Sequence, residues 1–200
     1  MLSSLLWILF ALLAVIVGLY PGLYFLLDRK FSLLAYKNEG TLLNVSWNIA
    51  FYTHIITGGF SLLVGWLQFV ARLRNRKPGL HRNIGKAYIF SSLISAVAGF
   101  YLSFFATGGF TGALGFAFLA VFWFYTTLSA FVHARKSRIL RHRDMALYSY
   151  AACFAAVTLR LWLQLFLLSG MAFIPAYKVV AWLSWVPNVL AAYFLIQKKH

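Results

Sequence analysis

Long apolar segments alternate along the chain with short polar ones. Each apolar segment approaches the length of about 20 residues that a helix needs to cross the hydrocarbon core of a bilayer. We therefore predict an all-α integral membrane protein, a six-transmembrane-helix bundle with a core of helices 2–5, in a single membrane domain of residues 1–200. The predicted spans are Leu5–Leu27, Asn48–Ala71, Gly85–Thr107, Leu114–Val132, Met145–Leu168 and Val179–Ile196.

Two local patterns refine this prediction. The pair Pro21-Gly22 is expected to bend the first helix, because proline removes a backbone donor and disrupts the helical hydrogen-bond ladder. The polar stretch between the first two spans, Asp28–Trp47, is expected to be an external loop with a short interfacial helix near Leu33–Tyr36.

Composition agrees with a membrane protein and excludes a soluble one. Hydrophobic residues make up 62% of the chain and charged residues 10%, which is too few to cover a water-exposed surface. The formal net charge of +15 could indicate a nucleic-acid partner. However, the basic residues lie in short loops between apolar segments, a pattern typical of topology determinants and of contacts with anionic lipid. We therefore expect the lipid bilayer, with anionic lipid at the basic loops, as the partner, and no nucleic acid.

The distribution of Lys and Arg predicts the orientation. Thirteen lie on one side of the predicted bundle and four on the other. Since basic residues accumulate on the cytoplasmic side, we expect both termini to be cytoplasmic, in a bacterial plasma (inner) membrane. The cytoplasmic set is Arg72, Arg74, Arg76, Lys77, Arg82, Lys86, Arg135, Lys136, Arg138, Arg141, Arg143, Lys198 and Lys199, and the opposite set is Arg29, Lys30, Lys37 and Lys178.

The most informative polar residues within the apolar segments are an arginine and a histidine. An Arg at the depth of Arg160 costs about 2.5–3.5 kcal/mol on insertion scales unless it is paired or hydrated. Its partner could be water, a backbone carbonyl, Gln164 or an anionic ligand, or the side chain could reach the membrane surface instead. His54 is expected at a similar depth in the outer half of the membrane. We take His54 and Arg160, with Gln68 near the inner end of the second span, as candidate ligand-pocket residues.

A second polar layer is predicted at the cytoplasmic side. The third span begins with His81-Arg82-x-x-Gly85-x-x-Tyr88 and the fifth with His142-Arg143-x-Met145, each after a basic loop. This is a weak internal repeat that places both histidines at one depth, and Gln68 and His133 complete the layer. Such histidines could be axial ligands of a b-type haem, with Arg82 and Arg143 near its propionates. Alternatively, they could contact lipid phosphate at the membrane surface and mark the start of a helix.

Several separated motifs resemble those of a bacterial family of predicted membrane proteins catalogued as a domain of unknown function. They are His54-x-x-x-Gly58-Gly59, Gly65-x-x-Gln68-Phe69, Arg74, the two His-Arg motifs, and Ala155-Ala156-x-Thr158-Leu159-Arg160. The resemblance covers about residues 50–165. It implies membership and a shared polar core, but no activity.

The architecture also distantly resembles the cytochrome b561 group. That group has six spans, and its histidines pair across spans two and four for an outer haem and across spans three and five for an inner haem. His81 and His142 occupy the inner positions and His54 one outer position, whereas the outer half of span four, Leu114–Ala120, contains no His. The resemblance therefore implies at most one haem.

From the sequence we predict transmembrane electron transfer through one haem b bound by His81 and His142. A quinone or another redox partner would exchange the electrons, and glycine-rich helix faces would allow a homodimer. The alternative is a non-enzymatic membrane subunit or small-solute or anion carrier with a His54/Arg160 pocket. Whether the protein is an enzyme stays open.

Overall fold

The computed structural model describes residues 2–28 and 30–198, and within them the protein is helical. The α-helices are α1 Leu2–Leu19, α2 Leu23–Leu26, α3 Glu39–Leu43, α4 Val45–Gly65, α5 Ala71–Arg76, α6 Pro78–Ser103, α7 Gly109–Arg135, α8 Ile139–Cys153, α9 Ala155–Leu168, α10 Phe173–Leu183 and α11 Val186–Gln197. Short 3₁₀ turns occupy Tyr20–Gly22, Ser32–Tyr36 and Trp66–Phe69. Arg29 and Lys199, which entered the charge count, lie outside the described residues.

In the part of the chain that the structure describes, six helical segments are long and apolar enough to cross a membrane, which confirms the predicted number. They are Ser4–Leu26, Val45–Phe69, Pro78–Ser103, Gly109–Arg135, Ile139–Leu168 and Phe173–Gln197. The first is interrupted by the 3₁₀ turn at Pro21-Gly22, and the fifth and sixth each join two consecutive helices. The loop after the first span contains the expected short helical segment at Ser32–Tyr36, followed by α3.

The helices of the third and fifth spans, α6 and α8, begin earlier than predicted. Helix α6 starts at Pro78 instead of Gly85, and α8 starts at Ile139 instead of Met145. Hydropathy marks where hydrocarbon begins, whereas helical hydrogen bonding continues into the polar layer. Proline is also well suited to the first helical position, because its missing N–H would have no intrahelical partner there. As a result, His81 and His142 lie within helices.

Four spans form the core. The second packs against the third, the third against the fourth and the fourth against the fifth, which returns to contact the second. The first span lies on the second, and the sixth lies on the fourth and fifth. Spans three and five are therefore diagonal to one another, as are spans two and four.

The distribution of polarity is that of a membrane bundle. Large apolar side chains such as Leu9, Val97 and Leu165 are exposed on the outer surface. The interior contains fully buried hydroxyl groups, among them those of Ser92, Thr127 and Ser149. Small residues let helices approach closely, and their hydroxyls bond across helices where lipid supplies no hydrophobic drive.

Candidate functional site: two polar cavities

The bundle contains a cavity at each end. The basic-end cavity, about 850 Å³, lies beside the loops that follow the second and fourth spans, and its lining includes His81 and His142. The opposite-end cavity, about 250 Å³, lies beside the loop between the first two spans, and its lining includes His54 and Arg160. The structure thus places each predicted pair of polar residues in one cavity.

His81 and His142 occupy equivalent positions. Each is the fourth residue of its helix, and each backbone N–H donates to the residue before that helix, His81 to Lys77 O at 3.0 Å and His142 to Arg138 O at 2.9 Å. This equivalence extends the repeat seen in the sequence to the structure. Both imidazoles are consequently held at the start of a regular helix.

The helix faces that bear these histidines meet deeper in the bundle. Tyr88 and Ser149 each follow their histidine by seven residues, which places them on the same face about 10 Å further along the helix. The Tyr88 hydroxyl lies 2.7 Å from Ser149 Oγ, and Ser149 Oγ lies 2.6 Å from Thr127 Oγ1. Diagonal helices α6 and α8 are therefore in register on the faces that carry His81 and His142.

Hydrogen bonds orient both imidazoles. His142 Nδ1 donates to the Ala130 carbonyl at 2.8 Å, which leaves Nε2 with a lone pair. The end of the Gln68 amide lies 3.2 Å from His81 Nδ1. With its nitrogen on that side, the amide donates to His81 Nδ1, and its oxygen accepts from the Gly85 N–H at 3.2 Å. Gln68 therefore belongs with His81 in the basic-end cavity and not with His54 and Arg160, because the second span carries it to the other end of the bundle.

The arginines near this cavity differ from the predicted pair. Arg143 lines the cavity as expected, but Arg82 is exposed and does not. Arg74, on the short helix α5, lines it instead. The sequence showed Arg74 as one basic residue of the cytoplasmic set and one position of the family motif but not as a cavity residue, since the turn that brings α5 back over the bundle has no signal in hydropathy. His133 lies at the same end, outside the cavity lining, with its Nδ1 buried and unpaired among the described residues.

His54 is fixed by a reciprocal contact between α4 and α6. Its Nδ1 donates to Ser95 O at 2.9 Å and lies 3.1 Å from Ser95 Oγ, which in turn donates to His54 O at 3.0 Å. Glycines make room for both side chains. A Cβ at Gly58 would lie 2.8 Å from Ser95 Oγ, and one at Gly99 would lie 2.9 Å from His54 Nδ1. The motif His54-x-x-x-Gly58 thus matches Ser95-x-x-x-Gly99 on the antiparallel helix.

Arg160 is half-buried and turned back along its own helix. Its NH1 donates to Ala156 O at 2.7 Å, and its guanidinium carbon lies 4.4 Å from the centre of the Tyr20 ring, a cation–π contact. The backbone carbonyl and this ring, not the exposed Gln164, are the partners that the structure shows. The guanidinium therefore does not extend to the membrane surface.

Lys37 is a further cation in the opposite-end cavity, and the sequence did not single it out. It comes from the loop between the first two spans, and its Nζ donates to Phe105 O. Burial lowers the pKa of Lys37 to about 8. A single Lys in a loop has no sequence signal for burial, because loop packing depends on which residues fold over the bundle.

A layer of side chains separates the two cavities. Tyr150 donates from its hydroxyl to Leu62 O at 3.0 Å, and its ring centre lies 6.1 Å from that of Tyr88. Gly65 admits the Tyr150 ring, because a Cβ there would lie 2.4 Å from Tyr150 Cε2. Tyr88 and Tyr150 line the basic-end cavity, whereas Leu62 lines the opposite-end cavity.

Among the described residues, six apolar spans surround a hydroxyl-lined interior with a cavity at each end that carries a few polar side chains, and they define a polytopic membrane protein. The family model described as Predicted membrane protein (DUF2306), a family of unknown function, matches residues 51–196. Because this match covers more than half of the chain, the protein belongs to that family, as its motifs indicated. No curated protein and no solved structure matches. The resemblance to cytochrome b561 gains no support from these comparisons and remains a prediction.

Proposed function

We propose that the protein transfers electrons in the membrane through one b-type haem in the basic-end cavity, with His81 and His142 as axial ligands. The observation that carries the proposal is that the two imidazoles, from diagonal helices in register, line one cavity. Two histidines facing each other across a helix bundle are a recurrent way to hold haem iron.

The cavity residues suit an amphipathic prosthetic group. A volume of about 850 Å³ lies within the usual range of ligand pockets, roughly 300–1,000 Å³. Apolar side chains such as Phe10, Ile89 and Leu147 could enclose a macrocycle. Arg74 and Arg143 line the same cavity and could pair with its carboxylates.

The hydrogen bonds of His142 favour ligation of the haem iron through Nε2, whereas those of His81 favour it less. The bond from His142 Nδ1 to Ala130 O leaves Nε2 free for a metal, as second-shell bonds do in many metal sites. His81 requires its proton on Nδ1, donated to the Gln68 side-chain oxygen. The amide orientation that satisfies its neighbours instead donates to His81 Nδ1, so ligation requires a half-turn of the Gln68 amide that sets its NH2 group against the Gly85 N–H. Gln68 is thus a positioning residue for His81.

When bound, a haem would supply reversible one-electron reduction of its iron. A membrane quinone and a one-electron redox protein are the exchange partners that we propose. The chain's own contribution would be to set the angle of both imidazoles, to shield the iron from water with Tyr88 and Tyr150, and to balance the propionate charge.

The test is the visible spectrum of protein purified after expression with ample haem. A Soret band is expected, and it should be lost or shifted in His81→Ala and in His142→Ala. His133→Ala is the matched control, because this residue lies at the same end but outside the cavity lining. Absence of the band, or a band that persists unchanged in both cavity variants, rules out the haem.

A second candidate function does not require haem. The meeting of His54 and Arg160 in the opposite-end cavity favours a non-enzymatic membrane subunit or a small-solute or anion carrier. The two candidates use different cavities and can therefore be tested separately.

A further inference from the structure

The opposite-end cavity has an excess of positive charge. Arg160 and Lys37 line it. The chain has three acidic side chains, and all of them lie among the described residues but outside this cavity. Asp28 accepts from the Lys30 N–H, Glu39 pairs with Lys30 Nζ at 3.4 Å, and Asp144 lines the other cavity. The protein itself therefore provides no counter-ion for Arg160.

Arg160 retains donors for a ligand. Among the described residues, its one hydrogen bond is from NH1 to Ala156 O, and its guanidinium carries five N–H groups. The guanidinium carbon lies over the Tyr20 ring, and the bond from NH1 leaves the edge formed by Nε and NH2 without a hydrogen bond among the described residues. A carboxylate matches this edge with two parallel bonds.

Neighbouring polar groups complete one side of the cavity. The bond from His54 Nδ1 to Ser95 O fixes that tautomer and leaves Nε2 as an acceptor. Tyr24 and Tyr177 also line the cavity and bear hydroxyl groups. These groups could orient a second polar atom of a ligand, and Lys37 would add a further positive charge.

The rest of the cavity is apolar and small. Trp47, Phe51, Phe116, Leu119 and Trp123 form its walls. Its volume of about 250 Å³ lies below the range of roughly 300–1,000 Å³ usual for drug-sized ligands. The occupant should therefore combine one anionic group with a compact apolar body.

We propose that the opposite-end cavity binds a small organic acid, a monocarboxylate on a compact apolar or aromatic body, with its carboxylate on the guanidinium edge of Arg160. The inference specifies the ligand class of the second candidate function, on which it rests, and it is independent of haem. The charge of half-buried Arg160 is then compensated by the ligand instead of by a side chain.

Benzoate is the probe, and the intrinsic tryptophan fluorescence, to which Trp47 and Trp123 of the cavity wall contribute, is the reporter. Detergent-purified protein at pH 7 should show a saturable change with benzoate, and at least tenfold weaker binding of the neutral isostere benzamide. Equal binding of the two compounds, or no saturable change at millimolar benzoate, overturns the proposal.

Variants locate the site. Arg160→Gln should weaken benzoate binding at least tenfold, whereas Arg141→Gln, which removes an exposed charge at the other end, should leave it unchanged. Equal losses in both variants would indicate general electrostatics and contradict the site. Should Arg160→Gln fail to fold, Lys37→Gln replaces it, with a severalfold loss expected. An unchanged affinity in that variant then counts against the site.

Further measurements distinguish the organic-acid site from a general anion site, from the haem proposal and from the carrier function. Inorganic phosphate should not displace benzoate at equal concentration, since phosphate has no apolar body. Displacement would indicate a general anion site and contradict the proposed specificity for an organic acid. Benzoate should still bind to the His81→Ala variant, so loss of haem does not count against this site. If benzoate binds but proteoliposomes do not take up labelled benzoate, the acid site stands and the carrier function fails.

Discussion

At the residue scale, the contact between His54 and Ser95 depends on the absence of a side chain at Gly99. The closest atoms to an added Cβ, His54 Cε1 and Nδ1, both lie at 2.9 Å. These atoms belong to the His54 ring on α4, which hydrogen bonds to Ser95 on α6 hold in place. The ring cannot move away from an added Cβ without breaking those bonds. Gly99 is therefore required by packing and not by backbone conformation.

Gly99→Ala should lower the free energy of unfolding by about 1–3 kcal/mol, the usual cost of overpacking a core. Gly79→Ala on the same helix is the matched control, because a Cβ there meets nothing within 4 Å. Thermal unfolding in detergent measures both. Equal stability of the two variants would show that His54 can leave its place freely.

Lys37 predicts a pH dependence for acid binding. Its pKa of about 8, lowered by burial from 10.5, means that the fraction of cation falls from about nine tenths at pH 7 to about one tenth at pH 9. Because the ligand remains anionic over this range, its affinity should decrease as the pH rises through 8. The other titratable groups that line the cavity are His54, Arg160, Tyr24, Tyr177 and Cys153.

The Lys37→Gln variant identifies the group responsible. Its benzoate affinity at pH 7 should be close to that of the native protein at pH 9, and should change little between the two pH values. Fluorescence titration at both pH values measures this. If the Lys37→Gln variant kept the full native pH dependence, the pH dependence would belong to another titratable group that lines the cavity.

At the element scale, hydroxyl bonds join three helices at the middle of the bundle. Tyr88 on α6 bonds Ser149 on α8, which bonds Thr127 on α7. Interhelical hydrogen bonds in membranes contribute about 0.6 kcal/mol on average, and up to about 1.7 kcal/mol. The cluster therefore aligns the helices that carry His81 and His142 more than it stabilises the bundle.

Tyr88→Phe should lower unfolding stability by about 1 kcal/mol, since it removes one hydroxyl and leaves Ser149 bonded to Thr127. Tyr125→Phe, on the lipid-facing side of α7 where Tyr125 is 65% exposed, is the control and should be neutral. Unfolding of both variants in detergent provides the measurement. A loss as large as that of a core truncation would mean that the ring, and not the hydroxyl bond, has been disturbed.

The elements were largely predictable from the sequence, and the cavities only in part. Hydropathy identified six spans because each must satisfy its backbone within lipid, and the depth of each residue along its span paired His81 with His142 and His54 with Arg160. It missed Arg74 and Lys37, which reach the cavities from connecting segments. The positions of such segments depend on tertiary packing, which leaves no periodic trace.

At the scale of the whole molecule, the two cavities lie at opposite ends of the bundle. The orientation of the bundle in the membrane therefore decides which cavity faces the cytoplasm and which faces the outside. The basic-end cavity is bordered by the connecting segments that carry most of the basic residues. Positive-inside bias predicts that this end faces the cytoplasm. A haem there would exchange electrons near the cytoplasmic face, and the acid site would open to the outside.

Cysteine labelling in intact cells tests this orientation. The chain has one cysteine, Cys153, which is buried, so the native protein provides an unlabelled background. Arg76→Cys places an exposed thiol at the basic end, and Ser169→Cys places one at the opposite end. A membrane-impermeant maleimide should label Ser169→Cys in intact cells and Arg76→Cys only after permeabilisation. The reverse pattern would invert the topology and place the acid-binding cavity on the cytoplasmic side, where it would meet metabolites instead of external acids.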